Sequence, residues 1–292
     1  MTDITAAVEQ PPLASQTCKN CGNEFTGNFC NRCGEKAYHA HDRSIFHFLE
    51  DGVHFITHFD GTLFTSVKTI FSKPGQLSVD YCNGVRKRYF RPLSLFMLLV
   101  VLYLIFPMFV GLNMPLRFHF TQEFYGEYAL QKAEHYLQAH NITKPQFEQK
   151  FTIKSEKTSK FLLFIIIPLS AIPLYLFGWK KRRYFFDHLL LATEINCFYL
   201  IYAFFLLPLF LSLLGLIQQV LHIHFMSWAN ENILGIIISL GLVLFISSAF
   251  KRFYGFKWWM RILAIAVFTI AHYYIVYAFY KFILFVTVMA LI

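Results

Sequence analysis

Charge is what this sequence has least of. Asp, Glu, Lys and Arg make up 15% of its 292 residues, against about a quarter in an ordinary soluble domain, and that scarcity argues against a soluble globular chain. Acids are the scarcer sign, 17 against 26 Lys and Arg, for a formal net charge of +9. Residues 1–17 carry Asp3, Glu9 and paired Pro11 and Pro12 with neither a basic start nor an apolar core. No cleaved secretory signal peptide is expected there, and the stretch reads as a disordered leader. Catalytic signatures are missing as well: there is no GxSxG elbow, no Walker-type loop, no GxGxxG after a strand and no HExxH. Outside one short stretch the only cysteines are Cys82 and Cys197, which argues against a disulfide framework.

What is present is apolar surface. Hydrophobic residues make up 56% of the chain, and Phe alone supplies 35. Five uncharged or nearly uncharged stretches read as membrane spans, near residues 93–112, 161–179, 189–217, 233–250 and 262–292, because about 20 apolar residues cross the roughly 30 Å of hydrocarbon. Pro107, Pro168, Pro173 and Pro208 fall inside them and predict kinks, since neighbouring helices satisfy the carbonyls that proline frees. Lys281 interrupts the last stretch, which reads either as one tilted helix whose Lys snorkels outward or as a helix followed by a re-entrant tail. The expected fold class is an all-α polytopic membrane protein in contact with the lipid bilayer.

The cations give an orientation. Arg86, Lys87, Arg88 and Arg91 precede the first span, Lys180, Lys181, Arg182 and Arg183 follow the second, and Lys251, Arg252, Lys257 and Arg261 follow the fourth. With five spans all three clusters fall on one side, the cytoplasmic side by the positive-inside rule. The amino terminus is then cytoplasmic, the carboxyl terminus external, and residues 113–160 form an external loop with the character of a small helical domain. These clusters hold 12 of the 26 Lys and Arg, and the remaining 14 are outnumbered by the 17 acids. The basic character therefore records topology and gives little support to a nucleic-acid partner.

The strongest local signal lies at residues 18–36, CKNCGNEFTGNFCNRCGEK. Cys18, Cys21, Cys30 and Cys33 form two CxxCG units, and thiolates at this spacing suit one tetrahedral ion, for which zinc is the expected metal. With four protein ligands no position stays open for substrate, so the ribbon reads as structural; Phe25 and Phe29 are expected to form its small core. Residues 44–91 follow as an amphipathic helical module. Its first helix, 44–59, places His47, Asp51, His54 and His58 on one face, which suits a metal or proton site or simply a solvated polar face. A second helix with Leu63, Phe64, Val67, Ile70 and Phe71 should stop at Pro74-Gly75. Both helices suit the membrane interface, or packing on one another or on the bundle.

Inside the spans, Asp187, His188 and Glu194 stand out because an ionisable group in hydrocarbon needs a partner or a watery cavity. Glu194 is expected to pair with His188 or a basic juxtamembrane residue, in a structural or a proton-handling role. His272, ahead of Tyr273, Tyr274 and Tyr277, either lines the same interior or belongs to a packed aromatic helix.

These residues resemble a bacterial family of zinc-ribbon membrane proteins known only as a domain of unknown function. Its pattern of His, His, Asp-Gly, Thr, Pro-Gly, Tyr, Gly-x-Arg-x-x-Tyr-Phe and Pro is similar to His54, His58, Asp60, Gly61, Thr65, Pro74, Gly75, Tyr81, Gly84, Arg86, Tyr89, Phe90 and Pro92. Asp187-His188-Leu189 and Tyr254-Gly255 also resemble family features. The pattern often has two further His where this chain has Glu194 and Asn196, a departure that weakens any shared metal site there. The resemblance implies a multi-spanning inner-membrane protein with a cytosolic ribbon and brings no activity. Two functional readings follow. One is a non-enzymatic scaffold, sensor or adaptor that meets a protein partner through the ribbon. The other is a transporter or enzyme using a polar cluster of His54, His58, Asp60, His188 and Glu194. Oligomeric state is not readable from the chain.

Overall fold

The structure is a computed structural model that describes residues 15–37, 61–105, 114–222 and 231–292. Two short strands, β1 (Gln16–Thr17) and β2 (Glu24–Phe25), pair antiparallel around the cysteine cluster. Everything else of regular form among the described residues is helical. In order these helices are α1 (Thr62–Ser72), α2 (Gln76–Cys82), α3 (Pro92–Ile105), α4 (Leu116–Phe120), α5 (Gly126–His140) and α6 (Lys144–Gly178), then α7 (Phe185–Leu221), α8 (Glu231–Tyr254) and α9 (Trp258–Leu291). Among the described residues four helical segments are long and apolar enough to cross a membrane: Phe161–Gly178 within α6, and α7, α8 and α9. With the four-cysteine cluster at its amino-terminal side, the chain is an all-α polytopic membrane protein. The apolar helix α3 falls at the first expected span; its 14 residues rise only about 21 Å, and residues 106–113 lie outside the described part.

Helix α6 is a rod of 35 residues without a π segment. Thr143 opens it, its N–H donating to the Gln146 side-chain oxygen at 3.0 Å in a reciprocal cap. The helix then runs through Pro168 and Pro173 without a break, as α7 runs through Pro208. Two helices contain π segments, Leu200–Leu206 in α7 and Ile275–Tyr280 in α9. Large apolar side chains such as Phe161, Leu176, Phe210 and Leu244 point outward, as hydrocarbon permits. Exposed Trp179, Trp258 and Trp259 sit at helix ends beside the Lys and Arg clusters, the usual seat of indole rings in a membrane interface.

At one end of α6, helices α1 and α2 pack on α7 and α8. The Phe71 ring lies 5.3 Å from that of Phe198, so α1 seats part of its apolar face on the bundle. Residues 44–59, where the preceding amphipathic helix was expected, lie outside the described part. At the other end, α4, α5, the first turns of α6 and the last turns of α9 build a small cap around Phe147, Phe151 and Phe285.

The cap decides the fate of Lys281. The last helix is continuous to Leu291, so there is no re-entrant tail, and Lys281 is buried and does not snorkel outward. The reason is that α9 carries on into the cap, which covers the position where lipid or water would otherwise meet the side chain. Its charge reaches His119, a fully buried cap residue whose Nδ1 lies 2.8 Å from the Tyr125 hydroxyl. Burial, seconded by the Lys281 charge, pushes His119 down to about 4.

A group whose folded value lies below its unfolded one contributes stability above the unfolded value, near 6.5, and loses it as pH falls toward the folded one. Acidification from pH 7 to about pH 5 should therefore loosen the cap by about 2 kcal/mol, read as faster amide exchange across α4 and α5. His119→Phe should flatten that pH dependence; a profile unchanged by the substitution would show that another group sets it.

Candidate metal centre and buried polar contacts

Each CxxCG unit folds into the same knuckle. Cys18 N–H donates to Asn23 C=O and Cys30 N–H to Glu35 C=O, both at 2.8 Å, while Gly22 and Gly34 N–H return to the carbonyls of Cys18 and Cys30 at 2.9 and 2.7 Å. The turn back requires positive φ, +73° at Gly22 and +69° at Gly34, which glycine adopts without strain. Two knuckles face each other, so that the Sγ atoms of Cys18 and Cys33 lie 3.5 Å apart and those of Cys21 and Cys30 3.7 Å apart. A tetrahedral ion with metal–sulfur bonds of about 2.3 Å needs sulfur–sulfur edges of about 3.8 Å. The four ligand atoms all lie within 4.8 Å of one another and fit such an ion. The Asn23 amide, 3.9 Å from the Cys30 sulfur and bonded to Asn31 at 2.8 Å, supports one corner from outside.

The ribbon core differs from expectation. Phe25 is buried, 6% exposed, whereas Phe29 is 62% exposed. Phe25 ends β2 and turns inward beside Cys18 and Cys30. Phe29 lies in an isolated bridge with Lys36 and turns out.

The ribbon is seated on the membrane part by one carboxylate. Buried Glu35, directly after the second knuckle, accepts the backbone N–H groups of Arg86 and Lys87 at 3.0 and 2.8 Å. Gly34 presses on the same loop, where an added Cβ would lie 2.3 Å from Lys87 Nζ. That loop is itself braced. Tyr89 donates to Asp80 at 2.5 Å, Asp80 also accepts from Gln76, and Phe90 N–H donates to Ser66 Oγ at 2.8 Å. Burial, together with the Asp80 carboxylate, pushes the Tyr89 phenol up to about 12, so it stays a donor.

His188 and Glu194 do not meet. Glu194 accepts Gly75 N–H at 2.7 Å, Ser78 N–H at 2.9 Å and the Ser78 hydroxyl at 2.5 Å. Its partners are therefore the first amides of α2, exposed by the Pro74-Gly75 turn, in place of the expected His188. The charge of Arg252 acts on Glu194, and Arg252 donates to the Pro74 carbonyl, so the basic juxtamembrane residue grips the turn. Gly75 has φ +81°, and a Cβ there would come 2.9 Å from the Ala249 backbone. Only glycine fits. Six positions back on α7, on another side of the helix, His188 Nδ1 lies 2.8 Å from the Tyr254 hydroxyl and Nε2 3.0 Å from the Arg182 carbonyl. Since a carbonyl only accepts, Nε2 carries the proton and Nδ1 of a neutral ring accepts from Tyr254. Gly178 leaves the space for both rings, as an added Cβ would lie 2.4 Å from Tyr254 and 2.7 Å from His188. Asp187-His188 and Tyr254-Gly255, distant in sequence, thus share one contact.

His54, His58 and Asp60, with His47 and Asp51, lie outside the described residues. Sequence reasoning missed Glu35, Ser78 and His119. Nothing in the pattern marks Glu35 apart from other surface acids, while the Pro-Gly turn was a usable signal for Ser78, because it announces a helix start with free N–H groups.

Residues 60–104 match the family model described as "Protein of unknown function (DUF3667)". The matched stretch runs from the start of α1 through the Glu194-binding turn and the ribbon-binding loop into α3, and supports a place near this domain of unknown function. No curated protein and no solved structure matches the chain.

Replacing Glu35 by Ala removes a charged acceptor from two amides, each such bond worth about 1.5–3 kcal/mol. Amide exchange at Arg86 and Lys87 should accelerate at least tenfold, roughly the 1.4 kcal/mol equivalent, with the cysteine cluster intact; unchanged protection would show that the ribbon is held elsewhere. Gly75→Ala should lower the thermal stability of the detergent-solubilised protein by more than the roughly 1–2 kcal/mol of a left-handed alanine, since the contact with Ala249 adds to it. A variant as stable as the parent would refute the tight turn.

Proposed function

We propose that the chain is a non-enzymatic adaptor, a scaffold or sensor of the bacterial inner membrane, whose ribbon presents a rigid recognition surface to a protein partner on the cytoplasmic side. The observation that carries this reading is the seating of a closed four-cysteine cluster on the membrane domain through Glu35. A flexible tether would leave the ribbon free to wander. Here its position is fixed, and exposed Phe29 stands out from it on the same small module as exposed Lys19 and Arg32. An aromatic flanked by cations suits an interface anchor.

We take the metal to be zinc, held by Cys18, Cys21, Cys30 and Cys33. When bound, a divalent ion with four thiolates supplies a structural crosslink carrying a net charge of −2, and it leaves no ligand position for substrate. The basic loop of Arg86, Lys87 and Arg88 suits that charge. The positive-inside rule places the loop, the ribbon and the other two basic clusters in the cytoplasm. His188 and Glu194 are each held by other partners, which supports structural roles for both over a shared transport or catalytic cluster.

The purified protein should contain one zinc per chain, and Cys18→Ser should lose it. Partner capture by crosslinking in membranes should vanish on deleting residues 1–36 and fall with Phe29→Ser, while membrane insertion persists. Capture that survives both changes would sink the adaptor reading, and a second metal per chain would direct attention to the His54 and His58 region.

A further inference from the structure

Where α9 leaves the bundle for the cap, it stands apart from the connection between α4 and α5 and leaves an open cleft of about 160 Å³. Phe124 and Tyr125 form one wall, and Ala278, Phe279 and Phe282 of α9 form the other. The Tyr125 ring lies 5.4 Å from that of Phe282, so the walls touch there. The Tyr125 hydroxyl is the one polar side-chain group among these five residues, and it is committed to His119 Nδ1 at 2.8 Å. The cleft therefore offers a guest aromatic rings and a methyl group, and no free hydrogen-bonding side chain.

Two rulers place the cleft at the edge of the hydrocarbon. From Trp258, exposed beside a basic cluster, to Ala278 the helix rises about 30 Å, one hydrocarbon thickness. Across the bundle, the Tyr280 hydroxyl donates to the Ser159 carbonyl at 2.6 Å, which sets this part of α9 level with Phe161, where the apolar window of α6 begins. The cleft is also continuous with the lipid-facing surface. Ile270, Tyr274, Ala278 and Phe282 follow one another at steps of four along α9, and the three large ones are exposed. Phe124, 79% exposed, overhangs that row from the cap side. Ala278 and Phe279 belong to the π segment of α9, a distortion that recurs at functional sites.

An apolar cavity of about 150 Å³ stays dry and takes a benzene-sized guest, so a cleft of this size and lining, open beside lipid, suits a short length of hydrocarbon. The charges nearby decide what is recognised. Arg117 and Lys132 of the cap stand against Glu123, Glu127 and Glu134, and no excess of cations selects an anionic headgroup. We propose that the cleft holds the ester-proximal methylenes of one acyl chain from a bilayer phospholipid, which fastens the cap to the membrane. The headgroup then lies alongside α5, which climbs away from the bilayer beside the end of α9, from Tyr128, 6.0 Å from the Phe282 ring, to Tyr136, which donates to the Ile292 carbonyl. This inference does not depend on the ribbon's role.

The test uses the full chain reconstituted into phosphatidylcholine vesicles doped with a phosphatidylcholine that carries a diazirine close to the ester end of one chain. After illumination, adducts are mapped by mass spectrometry. Phe161, exposed at the same depth on α6, reports ordinary contact with surrounding lipid. Labelling of Phe124, Tyr125 and Phe279 should exceed that of Phe161. Ala278→Leu, which fills the cleft, should lower it about tenfold, the lower end of what one methylene decides in an apolar pocket, and leave Phe161 unchanged. Phe124→Ser, at an exposed position that the fold does not rest on, should lower the labelling of Tyr125 and Phe279 as well. Cleft labelling no greater than that of Phe161, or labelling that both substitutions leave unchanged, overturns the proposal. So does an unlabelled cleft in a protein that native mass spectrometry shows to be a dimer, which assigns the cleft to a second copy of the chain.

Discussion

In hydrocarbon there is no water to take up a stray hydrogen bond, and that constraint organises the ribbon end of the bundle. Glu194 and His188 lie in the stretch of α7 from Phe186 to Phe198, every residue of which is buried, where an ionisable group without partners is costly. Each is met by backbone brought in from outside its own helix, the start of α2 for one and the Arg182 turn for the other. Because an unpaired carboxylate would be so unfavourable, Glu194 in effect draws the α1–α2 hairpin into the bundle. Gly75 and Ala249 then have to be small for the hairpin to come close enough.

The same logic carries the ribbon. Glu35 holds the loop at Arg86 and Lys87, the loop is tied to α2 through Tyr89 and Asp80 and to α1 through Ser66, and α2 is tied to Glu194. Polar contacts therefore run without interruption from the cysteine cluster to the interior of the bundle. Residues 60–104, the part matched by the family model, are the middle of that run. Their chemistry is specific where the surrounding spans are permissive, since a lipid-facing position accepts any apolar side chain while a carboxylate binding two amides accepts little else.

The cap is a second organising feature. It extends α6 and α9 beyond the apolar window of the former and closes an aromatic core over their ends. Lys281 and His119 are buried by that closure. Neither position looks enclosed when its own segment is read alone, because what covers each of them comes from elsewhere in the chain.

Composition and spacing were enough to establish the helical membrane architecture, since a run of about 20 apolar residues has few other uses. The four cysteines were equally plain, as CxxCG spacing leaves the thiolates little to do except converge. Pro74-Gly75 announced a break between helices. What the sequence could not determine was which groups those features serve. Alternation in a two-residue strand cannot tell Phe25 from Phe29, and nothing local pairs Glu194 with amides more than a hundred residues away. Nor could it reveal that Glu35 seats the ribbon or that Lys281 lies beneath a cap. Those outcomes were decided by tertiary structure, because hydrogen-bond partners and enclosure belong to the space between elements, whereas periodicity and ligand spacing belong to the elements themselves.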